Sequence, residues 1–267
     1  MRIYRLILSC VSLLLLVAAA PASADVSLRI MDNQGMEAAV YVSAGRCRIE
    51  SGDMRGYAVI DTRDRTITHV DNSRNEYATL TDKQLRERLE TVEQVRNSIR
   101  PHMETVRKGL QILTPEQRVM AERFIAQQGA PAAGAPARLV ADGGVQRLAG
   151  LSCAHHRLMQ GDRQVGDACL LQRPGGPVSP NDLATLDTVM SLLRELSGHS
   201  AGLLAMAGSK SALLAPDMDG VPVALRDFDT GESYRVVATS SSRIDESFFS
   251  GYRSYRQVDA SAIPGLF

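Results

Sequence analysis

The chain reads as an α+β fold, an antiparallel sheet with helices covering one face. Three observations predict it. Short stretches of alternating apolar and polar residues, separated by tight turns, recur over 26–80, 138–171 and 221–238. Apolar residues at three- and four-residue steps mark helices after positions 81, 114 and 179. Strands and helices come in blocks, without the regular alternation that a parallel sheet requires.

The first element is not part of that fold. Arg2 and Arg5 give a short positive start, and Leu6 to Ala19 is an apolar run broken only by Ser9, Cys10 and Ser12. Pro21 and the small residues Ala22-Ser23-Ala24 follow, so a secretory signal peptide is expected over 1–24, cut between Ala24 and Asp25. The run of about 14 residues falls short of the roughly 20 that span a bilayer. Ile7-Leu8-Ser9-Cys10 loosely fits a lipidation site, but cleavage there would leave almost no apolar stretch ahead of the cysteine. The expected location is therefore the periplasm or the exterior, with no integral membrane span after cleavage. Removing 24 of 267 residues leaves 243, read as a single α+β domain over 25–267. With Arg2 and Arg5 gone, 28 basic residues face 30 acidic ones, a formal charge of −2. Such a balance argues against a polyanion partner such as nucleic acid.

Val26, Leu28 and Ile30 alternate with Ser27, Arg29 and Met31, giving a first strand. Residues 39–42 and 46–49 flank the Ser43-Ala44-Gly45 turn. Residues 57–61 and 66–70 form a hairpin across 62–65, and 76–80 ends the series. Thr81-Asp82-Lys83-Gln84 is a capping box, and Leu85, Leu89, Val92, Ile99, Met103, Val106 and Leu110 make one apolar face of a long helix. Pro101 should kink or split it. Thr114-Pro115-Glu116-Gln117 opens a second helix that runs to about 127. Gly129 to Ala137 is a Gly/Ala/Pro linker. Strand signals return over 138–171. Ser179-Pro180-Asn181-Asp182 caps a third helix, whose expected face is Leu183, Leu186, Met190, Leu193 and Leu196, stopped by Gly198. A short helix is expected within 201–214, and a last hairpin turns at 227–231.

Three cysteines remain in the mature chain, Cys47, Cys153 and Cys169. Cys153 and Cys169 flank a hairpin around Gln160-Gly161-Asp162-Arg163. An odd loop centred on Gly161 places them directly opposite, at the Cβ spacing a disulfide needs, whereas an even loop offsets them by one position. A disulfide between them leaves Cys47 as a buried thiol or an intermolecular link.

No catalytic set emerges. His155-His156 next to Cys153 has metal-like residue types, but neighbours on a strand point to opposite faces and a disulfide cysteine is not a zinc ligand. No Gly-x-Ser-x-Gly elbow is present, and neither Gly143-Gly144 nor Gly175-Gly176 leads into a phosphate-binding helix. Asp217/Asp219 and Asp227/Asp229 sit in turn contexts, where aspartate bonds its own backbone. The expectation is a non-enzymatic protein, with no cofactor and no metal.

Several short motifs resemble an uncharacterised family of exported bacterial proteins, a domain of unknown function related to the periplasmic lipoprotein-carrier fold. They are Gly45-Arg46-x-Arg48-Ile49 within the strand pair from Tyr41, Ile60-Asp61 leading to Tyr77, and Ala149-Gly150-Leu151-x-Cys153. To these add Gly220-Val221-Pro222-Val223, and Arg243-Ile244-Asp245-x-x-Phe248-Phe249 followed by Gly251-Tyr252. The chain lacks the family's proline between the phenylalanines and the Gly-Tyr pair, and the 129–137 linker is foreign to it. The resemblance implies a curved antiparallel sheet, a half-barrel wrapped partly around helices, able to enclose an apolar cavity. On that basis the expected partner is a lipid, a lipoprotein or another hydrophobic ligand, held under Met-containing helix faces (Met103, Met120, Met190, Met206). Two other functions stand beside it: an envelope interaction or sensor module using the charged face of the 82–111 helix, and a hydrolase.

Overall fold

The computed structural model describes residues 25–52, 55–87, 138–171, 177–197 and 220–260, with 90, 91, 94, 114 and 117 as single positions. The leader, most of the helices expected after 81 and 114, the 129–137 linker, Asp217/Asp219 and the 201–214 helix lie outside the described residues.

Six strands precede the helical region: β1 (Val26–Asp32), β2 (Glu37–Ser43), β3 (Arg46–Ser51), β4 (Gly56–Asp61), β5 (Thr66–Asp71) and β6 (Glu76–Leu80). Turn chemistry sets them. Ala44 and Gly45 both take positive φ, which a two-residue hairpin with the right-handed twist demands. The β4–β5 and β5–β6 turns are closed by aspartate: Asp61 Oδ1 accepts from the Arg63 and Asp64 amides, and Asp71 Oδ1 from those of Ser73 and Arg74. Five strands follow later: β7 (Arg138–Leu148), β8 (Leu151–Gln160), β9 (Arg163–Leu171), β10 (Pro222–Asp227) and β11 (Ser233–Ser241). Asp227 Oδ1 accepts the amides of Asp229 and Thr230, so this aspartate serves a turn, as its sequence context indicates.

With β12 (Arg256–Gln257), these eleven strands join one sheet of twelve, in the order β12-β6-β5-β4-β3-β2-β1-β11-β10-β9-β8-β7. Every pairing is antiparallel except that of the two-residue β12, which runs parallel to β6. The expected curved half-barrel covered by helices is thus corrected to a broad open antiparallel sheet in which helix is the minor component. The physical reason is the junction of β1 with β11. Val26 pairs with Ser241 and Leu28 with Thr239, so the two strand blocks fuse edge to edge into a single width of twelve.

One face of the sheet carries the core. The main helix, α1 (Pro180–Ser197), is capped as its sequence dictates: Ser179 Oγ accepts the Asp182 amide at 3.1 Å and donates to Asp182 Oδ2 at 2.7 Å. It lays Leu183, Leu186, Val189 and Leu192 on Val40, Val42, Cys47 and Ile60, all buried. The expected helix face is therefore rotated slightly. Val189 and Leu192 are its buried positions, while Met190 and Leu193 pack at its margin. Arg65, in the β4–β5 turn, ties this layer together by bonding Asp82 Oδ1 at 2.8 Å and Glu195 Oε2 at 3.2 Å.

The capping box after β6 forms as read. Thr81 N donates to Gln84 Oε1 at 3.0 Å, and Gln84 N donates to Thr81 Oγ1 at 3.3 Å. Thr114 and Gln117 bond reciprocally in the same way. Cys153 and Cys169 stand at disulfide distance with Cα atoms 5.3 Å apart, but not by the expected register. The loop is even, closing at Gln160–Arg163, and a bulge at Leu158/Met159 then shifts the pairing. Cys153 lies opposite Leu171, and His155 opposite Cys169. The cysteines are diagonal neighbours on one face, close enough for the bridge.

Candidate ligand-binding face

The opposite face of β2–β6 is the chemically distinctive surface. Alternation along each strand puts Cys47 and Ile49 toward α1 and Arg46, Arg48 and Glu50 away from it. Register then aligns two cross-strand rows. One runs Tyr41, Arg48, Val59, Thr68, Thr79; the other runs Glu50, Tyr57, Val70, Tyr77.

The C-terminal segment folds back over these rows. It consists of α2 (Ser247–Ser250), a 3₁₀ turn (Gly251–Ser254) and β12. Its start is pinned by Asp25, whose Oδ2 accepts the Ile244 amide at 2.6 Å, and by the Ser242 amide donating to Asp25 O at 3.1 Å. Arg46 Nη2 donates to Glu246 Oε1 at 2.8 Å.

Arg48 is the centre of the attachment. Its guanidinium carbon lies 3.5 Å from the Tyr57 ring centroid and 4.1 Å from that of Phe248. Nη1 donates to the Phe248 carbonyl at 2.5 Å, and Nη2 pairs with Glu50 Oε1 at 2.5 Å. The planar guanidinium suits this position because it stacks and donates at once, which an ammonium does not. Around it Phe249 is buried, Tyr41 meets Phe248 edge-on with ring centres 4.8 Å apart, and Tyr77 meets Tyr252 at 4.9 Å. Burial raises the Tyr41 and Tyr57 phenol pKa values, despite the nearby Arg48 charge.

Where β12 ends, the segment leaves a cleft of about 490 Å³ beside β6. Tyr77, Thr79, Thr81 and Gln84 line one side of it. Tyr252, Arg253 and Gln257 line the other. A second groove of about 190 Å³ lies over β1, β2 and β11, past Ser27, Ala39 and Tyr41.

Other sequence candidates are dispersed. His155 Nδ1 contacts Asp142 Oδ2 at the β7 bulge, and His156 Nδ1 meets the Ala154 carbonyl at 3.0 Å, so each is engaged separately. His69 lies on β5, where desolvation lowers its pKa. Among the described residues no three His, Cys, Asp or Glu side chains converge as a metal site. Cys47 is a fully buried thiol whose pKa burial pushes up to about 12. Among the described residues no helix is long and apolar enough to cross a membrane.

The clamp is absent from the sequence reading, although its parts are on view there. Arg46, Arg48, Phe248, Phe249 and Tyr252 all fall in the short motifs singled out above, and the fold brings those motifs together. A further signal is composition. Four of the chain's twelve Phe and Tyr residues fall within positions 248–255.

No family model matches the chain, and no curated protein matches it. Among solved structures, it is similar to an uncharacterized conserved protein from Thermus thermophilus, at 10% identity and a TM-score of 0.38, over 94% of this chain and 99% of that one. A likeness at that score identifies neither fold nor function.

Proposed function

We propose that the mature chain is a non-enzymatic binding protein that works outside the cytoplasm and meets its ligand on the aromatic face of β2–β6. The observation that carries this is the cleft beside β6, of a volume suited to a small ligand and walled by polar and aromatic side chains that the C-terminal segment holds in place. An apolar ligand seated under α1 has less support, because Leu183, Leu186, Val189 and Leu192 already fill that interface against β2–β4. The signal-like leader supports the location.

The test is an amide NMR titration of the processed protein, first with the water-soluble fraction of a cell-envelope digest and then with envelope lipid in micelles. Shifts centred on Tyr77, Gln84, Tyr252 and Gln257 with the soluble fraction support the proposal. Shifts centred on α1 with the lipid would return the site to the helix layer and overturn it. N-terminal sequencing of the same sample should begin at Asp25.

A further inference from the structure

We infer that the cleft beside β6 takes an acidic saccharide, a chain of sugar rings carrying at least one carboxylate; this rests on the binding role proposed above. Three features of the lining lead to it.

The first is the chemistry of the described lining. Among the described residues the wall is made of tyrosine, threonine, glutamine and arginine. The apolar surface described there belongs to tyrosine rings and to the methyl and methylene groups of polar side chains, which suits the flat C–H face of a ring better than an extended acyl chain. A polyhydroxylated ring matches it better. Its C–H face can lie on a tyrosine ring while its hydroxyls meet amides and hydroxyls.

The second is the polarity of what remains available. The amide and threonine acceptors are already engaged. Gln84 Oε1 takes hydrogen bonds from Thr81 N and Thr81 Oγ1, both at 3.0 Å. Gln257 Oε1 takes the Tyr77 hydroxyl proton at 3.3 Å, and Thr79 Oγ1 shares a hydrogen bond with Thr68 Oγ1 at 3.0 Å. Those bonds leave the amide NH₂ groups of Gln84 and Gln257 to face a ligand as donors. A donor-rich wall selects an acceptor-rich ligand.

The third is charge. Arg253 lines the cleft with an exposed side chain and makes no ion pair among the described residues. Among the described residues no aspartate or glutamate lines the site, and the nearest acid on β6, Glu76, is paired with Arg256. A guanidinium with no ion pair among the described residues is matched, in such a wall, to a carboxylate, which it can hold through two parallel N–H···O bonds.

The experiment titrates the processed, ¹⁵N-labelled full chain with trigalacturonic acid, with its methyl ester, and with a short peptide bearing a free C-terminal carboxylate. Trigalacturonate should shift Tyr77, Gln84, Tyr252, Arg253 and Gln257. Esterification should weaken binding about tenfold or more, as should Arg253→Gln, by loss of a charge-assisted contact. Arg253 is exposed, so the variant's spectrum away from the cleft should be unchanged, which separates lost binding from lost folding. Equal binding of acid and ester, or tighter binding of the peptide at the same residues, overturns the saccharide assignment. If the envelope digest shifts these residues and trigalacturonate does not, the saccharide class falls and the binding role stands. If neither does so, both fall.

Discussion

Replacing Arg48 with alanine removes the piece on which the C-terminal segment depends, and its cost can be worked from the contacts. The guanidinium stacks on two rings, each worth about 0.5–2 kcal/mol when partly desolvated. It donates one charged hydrogen bond to the Phe248 carbonyl, worth about 1.5–3 kcal/mol. It also neutralises Glu50, whose side chain is mostly covered. These terms overlap because one group makes them all, and a net loss of about 3 kcal/mol is expected. For a domain of this size that lowers Tm by about 6–12 °C. Urea unfolding monitored by circular dichroism measures the loss. Hydrogen exchange locates it, with protection falling first over 244–257. Arg48→Lys keeps the charge but not the fork, and should fall between the two. A loss within about 0.5 kcal/mol, with exchange over 244–257 unchanged, would refute the clamp.

Three further outcomes follow from buried groups. Cys47 is fully buried with its thiol pKa pushed up to about 12, so Ellman's reagent should find no reactive thiol in the native oxidised protein and one after denaturation; a thiol that reacts in the native state contradicts the packing under α1. Removing the Cys153–Cys169 bridge as Cys153→Ala/Cys169→Ala should cost about 3 kcal/mol, the loop entropy of a 16-residue separation, read by urea denaturation. Burial lowers the His69 pKa below its ordinary 6.5, so the unfolded chain binds that proton more readily. The His69 contribution to stability is thus present above about pH 6.5 and lost as pH falls from there toward the folded pKa. Comparing melting of the native protein and His69→Leu between pH 7.5 and 5 should show a shallower slope in the variant.

Local features of this fold were legible because they rest on local physics. Thr81/Gln84 and Ser179/Asp182 announce helix starts through reciprocal bonds that need only four residues. Ala44-Gly45 and the Asp61 and Asp71 turns announce hairpins the same way. That Cys153 and Cys169 flank one hairpin was readable, but the arithmetic that set them directly opposite fails: the loop is even, and the bulge at Leu158/Met159, for which Gly166 within the strand is the local signal, makes them diagonal neighbours. What the sequence hid was long-range. The β1–β11 junction joins residues some 210 positions apart, and no local pattern distinguishes a sheet that continues there from one that curls. For α1, Met190 and Val189 both fit a 3.6-residue stripe, and contact with β2 and β3 decides between them. The β6 cleft was hidden for a related reason. Tyr77, Gln84 and Arg253 look like ordinary strand, cap and surface residues until the C-terminal segment returns.

The central claim is that the working surface is the aromatic face and not the helix layer. Photo-crosslinking in living cells tests it most directly, with a benzophenone side chain at Ser254, exposed beside the β6 cleft, or at Thr188, exposed on α1. The account predicts an adduct from position 254 that Arg253→Gln weakens, and none from position 188. An adduct from position 188 alone would contradict it.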